Sequence, residues 1–221
     1  MNVKVCFISC VNDEEQYNEC IRHIQHLSVP SHVQIELLPI RNADSMASGY
    51  NEAMIQTDAK YKVYLHQDTM IINKNFLYDL LFLFTNHSHL GMFGVIGAKT
   101  IPDNGIWWES LRTAGKIIEH RSTYRYLLFE EADYAYQEVQ TLDGVIMATQ
   151  YDLPWAEIPF NGWHLYDTSQ CLQFIEHGYV VGIPYQPFPW VLHECGEITD
   201  TKTYSHYLNI FKEWRNKMKE S

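Results

Sequence analysis

Three short apolar runs constrain this chain most: residues 3–9 (VKVCFIS), 33–40 (VQIELLPI) and 61–66 (YKVYLH). They read as strands buried on both faces, as in a parallel sheet covered by helices. Between the first two, Tyr17, Ile21, Ile24 and Leu27 recur at three-to-four spacing, the apolar stripe of a sheet-packed helix. Asn12 is its expected N-cap, Glu15 completes a variant of the capping box, and Pro30 stops it. Between the second and third runs, Asp44 or Ser45 caps a helix through Met46, Tyr50, Ala53 and Met54. Two right-handed βαβ units follow, converging on one carboxyl edge. In open α/β sheets ligands bind at that edge.

His66, Gln67 and Asp68 leave the third strand there. A carboxylate in this place can hold a metal ion against a phosphorylated substrate, since hard cations share oxygen ligands with phosphates. A turn aspartate capping Thr69 and Met70 would look the same. The first turn of the second helix offers free amides and a positive dipole end to an anion, with Gly49 permitting close approach.

A chain of 221 residues fills one core, and nothing in it demands two domains. The net charge of −11 argues against a nucleic-acid footprint and makes an anionic substrate unwelcome unless a cation or oriented amides offset the repulsion. Five cysteines without a CxxC pair argue against a zinc site or a disulfide framework and for reduced thiols. No signal peptide is read at the start, and FLYDLLFLF, broken by Asp79, falls short of the ~20 residues of a membrane span. The expectation is a soluble, cytoplasmic protein.

Further on, Asn73 or Asn75 opens a helix, and residues 93–98 form a strand. Residues 102–136 look irregular: a lid, an edge hairpin or an acceptor wall. Residues 137–149 read as one strand interrupted by Asp143-Gly144, where the glycine marks a bulge or a ligand's approach. Asp167 or Thr168 begins a helix that Gly178 ends. From Asp200 the tail is helical, with Tyr204, Tyr207, Leu208, Phe211, Trp214 and Met218 on the side that packs on the domain or meets a partner. GxGxxG, Walker A and GxSxG are absent, which removes the dehydrogenase, P-loop and α/β-hydrolase readings.

Four stretches in this order, FISCVNDEEQY, ASGYNEAM with KYKVYLHQDTMI, LDGVIMAT, and GWHLYDTSQCLQF through GYVVGIP to WVLHECG, carry a resemblance. The chain resembles GT-A glycosyltransferases of the family-2-like group that includes the StrF-type domains of streptomycin biosynthesis. The resemblance implies a single-domain GT-A α/β fold, mostly parallel, over residues 1–199, with residues 200–221 as a helix packed on it or extending it. It implies that Cys10, Asn12 and Asp13 receive the nucleotide base and that Met46, Gly49 and Asn51 line ribose and diphosphate. The family's acidic metal motif is thinned here to His66-Gln67-Asp68, leaving Asp68 on the metal and Gln67 as a hydrogen-bonding group. His193 falls where the family often has a second metal ligand. Asp143 and Gly144 fall on the strand facing the sugar, and Asp167 on the candidate base.

The implied activity is inverting transfer from a nucleoside-diphosphate sugar, UDP-linked in the first instance, to a hydroxyl acceptor, with Mn²⁺ or Mg²⁺. Polysaccharide biosynthesis is the implied setting, and the acceptor is a carbohydrate or glycoconjugate. An aspartate with the ordinary pKa of ~3.9 would be ionised for that work. Trp163, beside the candidate base, is expected to stack on the acceptor; Trp155 and Trp190 can stack on sugar or fill core. The tail helix leaves room for a homo-oligomer. Two other readings stay open: a catalytically silent nucleotide-sugar or carbohydrate-binding module on the same fold, and a nucleotidyltransferase, which the loop SCVNDEEQ disfavours by lacking a Gly-rich segment and a lysine.

Overall fold

The computed structural model describes residues 2–196 and 201–220. Strand β1 (Val3–Val11), helix α1 (Glu14–Gln25), strand β2 (Val33–Arg41), helix α2 (Met46–Gln56) and strand β3 (Tyr61–Leu65) form the two expected βαβ units. The strands are parallel in the order β2-β1-β3. Side chains alternate along β1. Val5 and Phe7 pack with Tyr17, Cys20 and Ile24 of α1, whereas Cys6 and Ile8 pack with Tyr50 and Ala53 of α2. Asp13, not Asn12, caps α1, its carboxylate accepting from the Glu15 and Gln16 amides. Ser45 rather than Asp44 caps α2, in a reciprocal box with Ser48.

Beyond β3 the chain adds β4 (Thr69–Ile71), α3 (Phe76–Asn86), β5 (Leu90–Gly94), β6 (Ile96–Ala98) and a 3-10 turn at Trp107–Glu109. It continues with β7 (Thr113–His120), β8 (Tyr124–Leu128), β9 (Tyr136–Glu138), β10 (Thr141–Leu142) and β11 (Ile146–Thr149). Then come α4 (Tyr166–Glu176), β12 (Val180–Pro184), β13 (Val191–Glu194) and α5 (Thr201–Glu220). The main sheet runs β2-β1-β3-β11-β5-β12-β9; within it β11 and β9 pair antiparallel to their neighbours. α3 joins the α1 face of the core, and Cys171 and Phe174 of α4 join the α2 face. The mostly parallel α/β fold is therefore present.

A second, mixed sheet, β10-β6-β7-β13-β4 with β8 on β7, was not foreseen. The stretch 102–136, expected to be irregular, supplies its β7–β8 hairpin. The single strands expected at 93–98 and 137–149 are divided because the chain steps between sheets, β5 to β6 in the first and β9 to β10 to β11 in the second. The same step occurs between β3 and β4. Residues 66–68 and 143–145 are thus links across one seam, and this seam positions the site.

The aromatic stripe of α5 packs on the domain: Tyr207 and Phe211 cluster with Ile101, Phe160 and Leu165. Arg215 fastens it by donating to the Ile101 and Pro102 carbonyls. The expected boundary at 199/200 and the helix start at Asp200 lie outside the described residues. All five cysteines are free thiols. Among the described residues no helix is long and apolar enough to cross a membrane.

Candidate active site

The link from β3 to β4 is a tight turn, closed by Thr69 N–H donating to His66 O at 3.2 Å. It is tied to the other link by His66 N–H donating to Val145 O at 3.1 Å. β13 pairs with β4, setting His193 beside Thr69, and Glu194 N–H donates to Asp68 O at 3.0 Å. These bonds bring three side chains together. Asp68 Oδ1 lies 3.3 Å from His193 Nε2 and 4.0 Å from His66 Nδ1. That oxygen is buried and has no hydrogen bond, because the His193 contact is close without being aligned as one. A buried carboxylate oxygen left so is costly. Two imidazoles and one carboxylate suit a divalent cation, and His66, Asp68 and His193 present one ligand atom each within 4.8 Å of one another.

The charges answer to this proximity. Burial raises the Asp68 carboxyl, but His193 and His66 outweigh it and hold it below the ordinary carboxylate range. Burial lowers His193, yet Asp68 and then Cys195 carry it up to about 10. His66 is pulled down, first by burial and then by His193, against the attraction of Asp68.

On one side of the seam is a hollow of about 400 Å³. Cys10, Asn12, Met46, Gln67, Asp68 and Trp163 line it, with Val11, Asn42 and Ala43. Gln67 shapes its floor: Oε1 accepts from the Asn12 and Asp13 amides at 2.8 and 3.0 Å, and Nε2 donates to Asn12 Oδ1 at 2.6 Å.

A second hollow, also about 400 Å³, holds Asp143, Asp167 and His193 among aromatic walls from Trp107, Trp108, Trp163 and Tyr204. His66 and Trp163 belong to both hollows. Asp167 lies in the first turn of α4 and is not the cap. Leu165 takes that position with a left-handed backbone, φ 62°, an uncommon conformation for a non-glycine residue. Asp167 Oδ2 accepts from Gly144 N–H at 3.0 Å and Oδ1 from Thr168 N–H at 2.7 Å. Burial, then Asp143, pushes its carboxyl up to about 7 against those two amides. The ordinary, low aspartate expected from sequence is not what this environment produces.

Other expectations change as well. Asp13 spends its carboxylate on α1 and does not line the hollow. Gly49 admits protein, not ligand: a Cβ there would lie 2.5 Å from Cys10 Sγ and 2.9 Å from Ala43 Cβ. Asn51 pins the loop after β11, donating to Trp155 O and accepting from Trp155 N–H. Two amides of the first turn of α2 are already taken, since Met46 N–H donates to Gly162 O and Ser48 N–H to Ser45 Oγ. Gly144 makes room for Tyr166, whose hydroxyl would meet its Cβ at 2.1 Å. Trp155 and Trp190 are core, while Trp163 is 44 % exposed.

Sequence reasoning gave His66 a place in the motif but no role, and Tyr166 none at all; the two are hydrogen-bonded at 2.5 Å between His66 Nε2 and the hydroxyl. His66 was detectable, standing two residues before Asp68 at a strand end. Nothing local marks Tyr166.

A family profile described as "Glycosyltransferase like family" matches residues 6–214. It does not distinguish a streptomycin-biosynthesis type within the family. No curated protein matches the sequence. Among solved structures, S. aureus TarS 1-349 in complex with UDP superposes with a TM-score of 0.58 at 11% identity, over 87% of this chain and 60% of that one. Mannosyltransferase PcManGT from Pyrobaculum calidifontis, in complex with GDP-Man and Mn²⁺, gives 0.54 at 10% identity over 92% and 59%. At such identity the likeness is one of fold. This chain spans about three fifths of the length of each.

Proposed function

Because this chain belongs to the glycosyltransferase-like family, we propose that it moves a sugar from a nucleoside diphosphate, UDP foremost, to an acceptor hydroxyl with inversion. The observation that carries the reading is the pair of hollows with a common wall, Asp68 and His193 at the seam and Asp167 beyond it. The first hollow would take the nucleotide, with Cys10, Asn12, Met46 and Gln67 around it. Asp68, His193 and His66 would hold Mn²⁺ or Mg²⁺. When bound, that ion would act as a Lewis acid toward the departing diphosphate.

Asp167 would remove the acceptor's proton. A carboxyl near 7 is a stronger proton acceptor than an ordinary aspartate yet is still ionised in good part at neutral pH, and such general-base help is worth ~10²–10⁴ in rate. Gly144 and Thr168 fix its oxygens through their amides. Trp163, with Trp108 and Tyr204, offers ring faces to an acceptor sugar or glycoconjugate. The complexes named above, with UDP and with GDP-Man and Mn²⁺, support the donor and cation classes. A cytoplasmic place in polysaccharide or glycoconjugate synthesis fits this chemistry.

The test is thermal. UDP with Mn²⁺ should raise the melting temperature and EDTA should cancel the rise; at 100 times the dissociation constant the gain is about 2.7 kcal/mol. Absence of any shift with a panel of nucleoside diphosphates and cations would refute the proposal. The thinned His66-Gln67-Asp68 motif favours one competitor, a silent binding module. Asp167→Asn separates the two: a transferase keeps the shift and loses turnover, whereas a module has no turnover to lose.

A further inference from the structure

β13 and β7 run parallel with His193 beside Glu119, and the ladder continues one step further through Cys195 N–H donating to His120 O at 3.1 Å. Residues paired across a ladder, and residues two apart along a strand, share a face. Glu119, His193 and Cys195 therefore converge, each presenting one ligand atom within 4.8 Å of the other two. All three are partly buried, and Cys195 is the one thiol of the five that is not fully buried. Among the described residues the Glu119 carboxylate has no side-chain hydrogen bond or ion pair.

We propose that Glu119, His193 and Cys195 form a second cation site, one that takes zinc in preference to Mg²⁺ or Mn²⁺. A thiolate is a soft ligand and an imidazole a borderline one, a set that selects zinc over hard cations. Zinc bonds of about 2.0–2.3 Å to these three ligand types leave a fourth, open position. The ligand atoms need only small side-chain movements to close on such an ion. The sequence reading argued against zinc because no CxxC is present. This site is assembled by strand register from two distant segments, so it leaves no motif. His193 belongs to both triads; a cation held by Glu119 and Cys195 competes with Asp68 for the same imidazole. Zinc then opposes the transferase's own cation, a consequence that rests on the proposed function, although the site itself does not.

Cobalt reports on the site without nucleotide or turnover. Metal-free full-length chain, kept reduced with a phosphine, is titrated with Co²⁺ and followed in the near ultraviolet, where a thiolate-to-cobalt charge-transfer band appears. The expected result is one equivalent of band, bleached by Zn²⁺ and not by Mg²⁺. Cys195→Ser should abolish it, and Glu119→Gln should weaken cobalt affinity about tenfold or more. Asp68→Asn should leave it in place, since Asp68 is not a ligand of this site. Circular dichroism establishes that each variant is folded. A folded wild type without the band, a band that survives Cys195→Ser or ignores Glu119→Gln, or one that Asp68→Asn removes overturns the proposal. None of these outcomes bears on whether the chain binds a nucleotide sugar.

Discussion

Asp167 stands between opposed influences. Burial and Asp143 favour its neutral form, and two backbone amides favour the charged one; the balance lies near 7. Only the ionised form accepts a proton. Transfer measured as nucleoside diphosphate release should therefore fall as pH drops through about 7 and level off above it; a flat profile over that interval would remove Asp167 from the role of base. Asp143→Asn deletes the like charge, which makes ionisation easier, so the acid limb should move to lower pH. Motif order singled out Asp68, Asp167 and His193, and the fold sets them along two hollows with a common wall. The altered acidity of Asp167 was not legible, since it depends on burial and on Asp143, which the fold brings beside it from a separate segment. Asp13, Gly49 and Asn51 were assigned to a ligand, and the structure gives them capping and packing partners instead, work that small or polar residues beside a strand end do as readily.

Elements built from local signals were readable. The stripe of α1 and the buried runs of β1 and β3 stand where periodicity puts them, whereas β2, also expected to be buried on both faces, lies at the sheet edge and is only partly covered. The second sheet was not readable, because β4, β6 and β10 are only two or three residues long and an apolar run does not announce which sheet it joins. Loops between elements are held by equally inconspicuous bonds. Asn51 on α2 satisfies both the N–H and the C=O of Trp155, and Trp155 packs on Tyr50 and Tyr64. Asn51→Ala strands both groups and should cost about 1–3 kcal/mol in urea unfolding. Its effect on nucleotide-induced stabilisation should be small, in contrast to a role at the ribose.

For the molecule as a whole, α5 is both buttress and wall. Phe211 is fully buried against Phe160, while Thr201, Tyr204 and Ser205 on the same helix border the hollow that holds Asp167. Phe211→Ala should cost roughly 3–5 kcal/mol, and loosening the helix should raise KM for the acceptor more than for the donor in initial-rate measurements. His66 and Trp163 carry a different consequence, because each faces both hollows. For the proposed transfer, a partition held in common would couple the two compartments, so that the guest settling first completes the wall met by the second. Double-reciprocal plots should intersect instead of running parallel, and a dead-end nucleotide should trap the acceptor rather than release it.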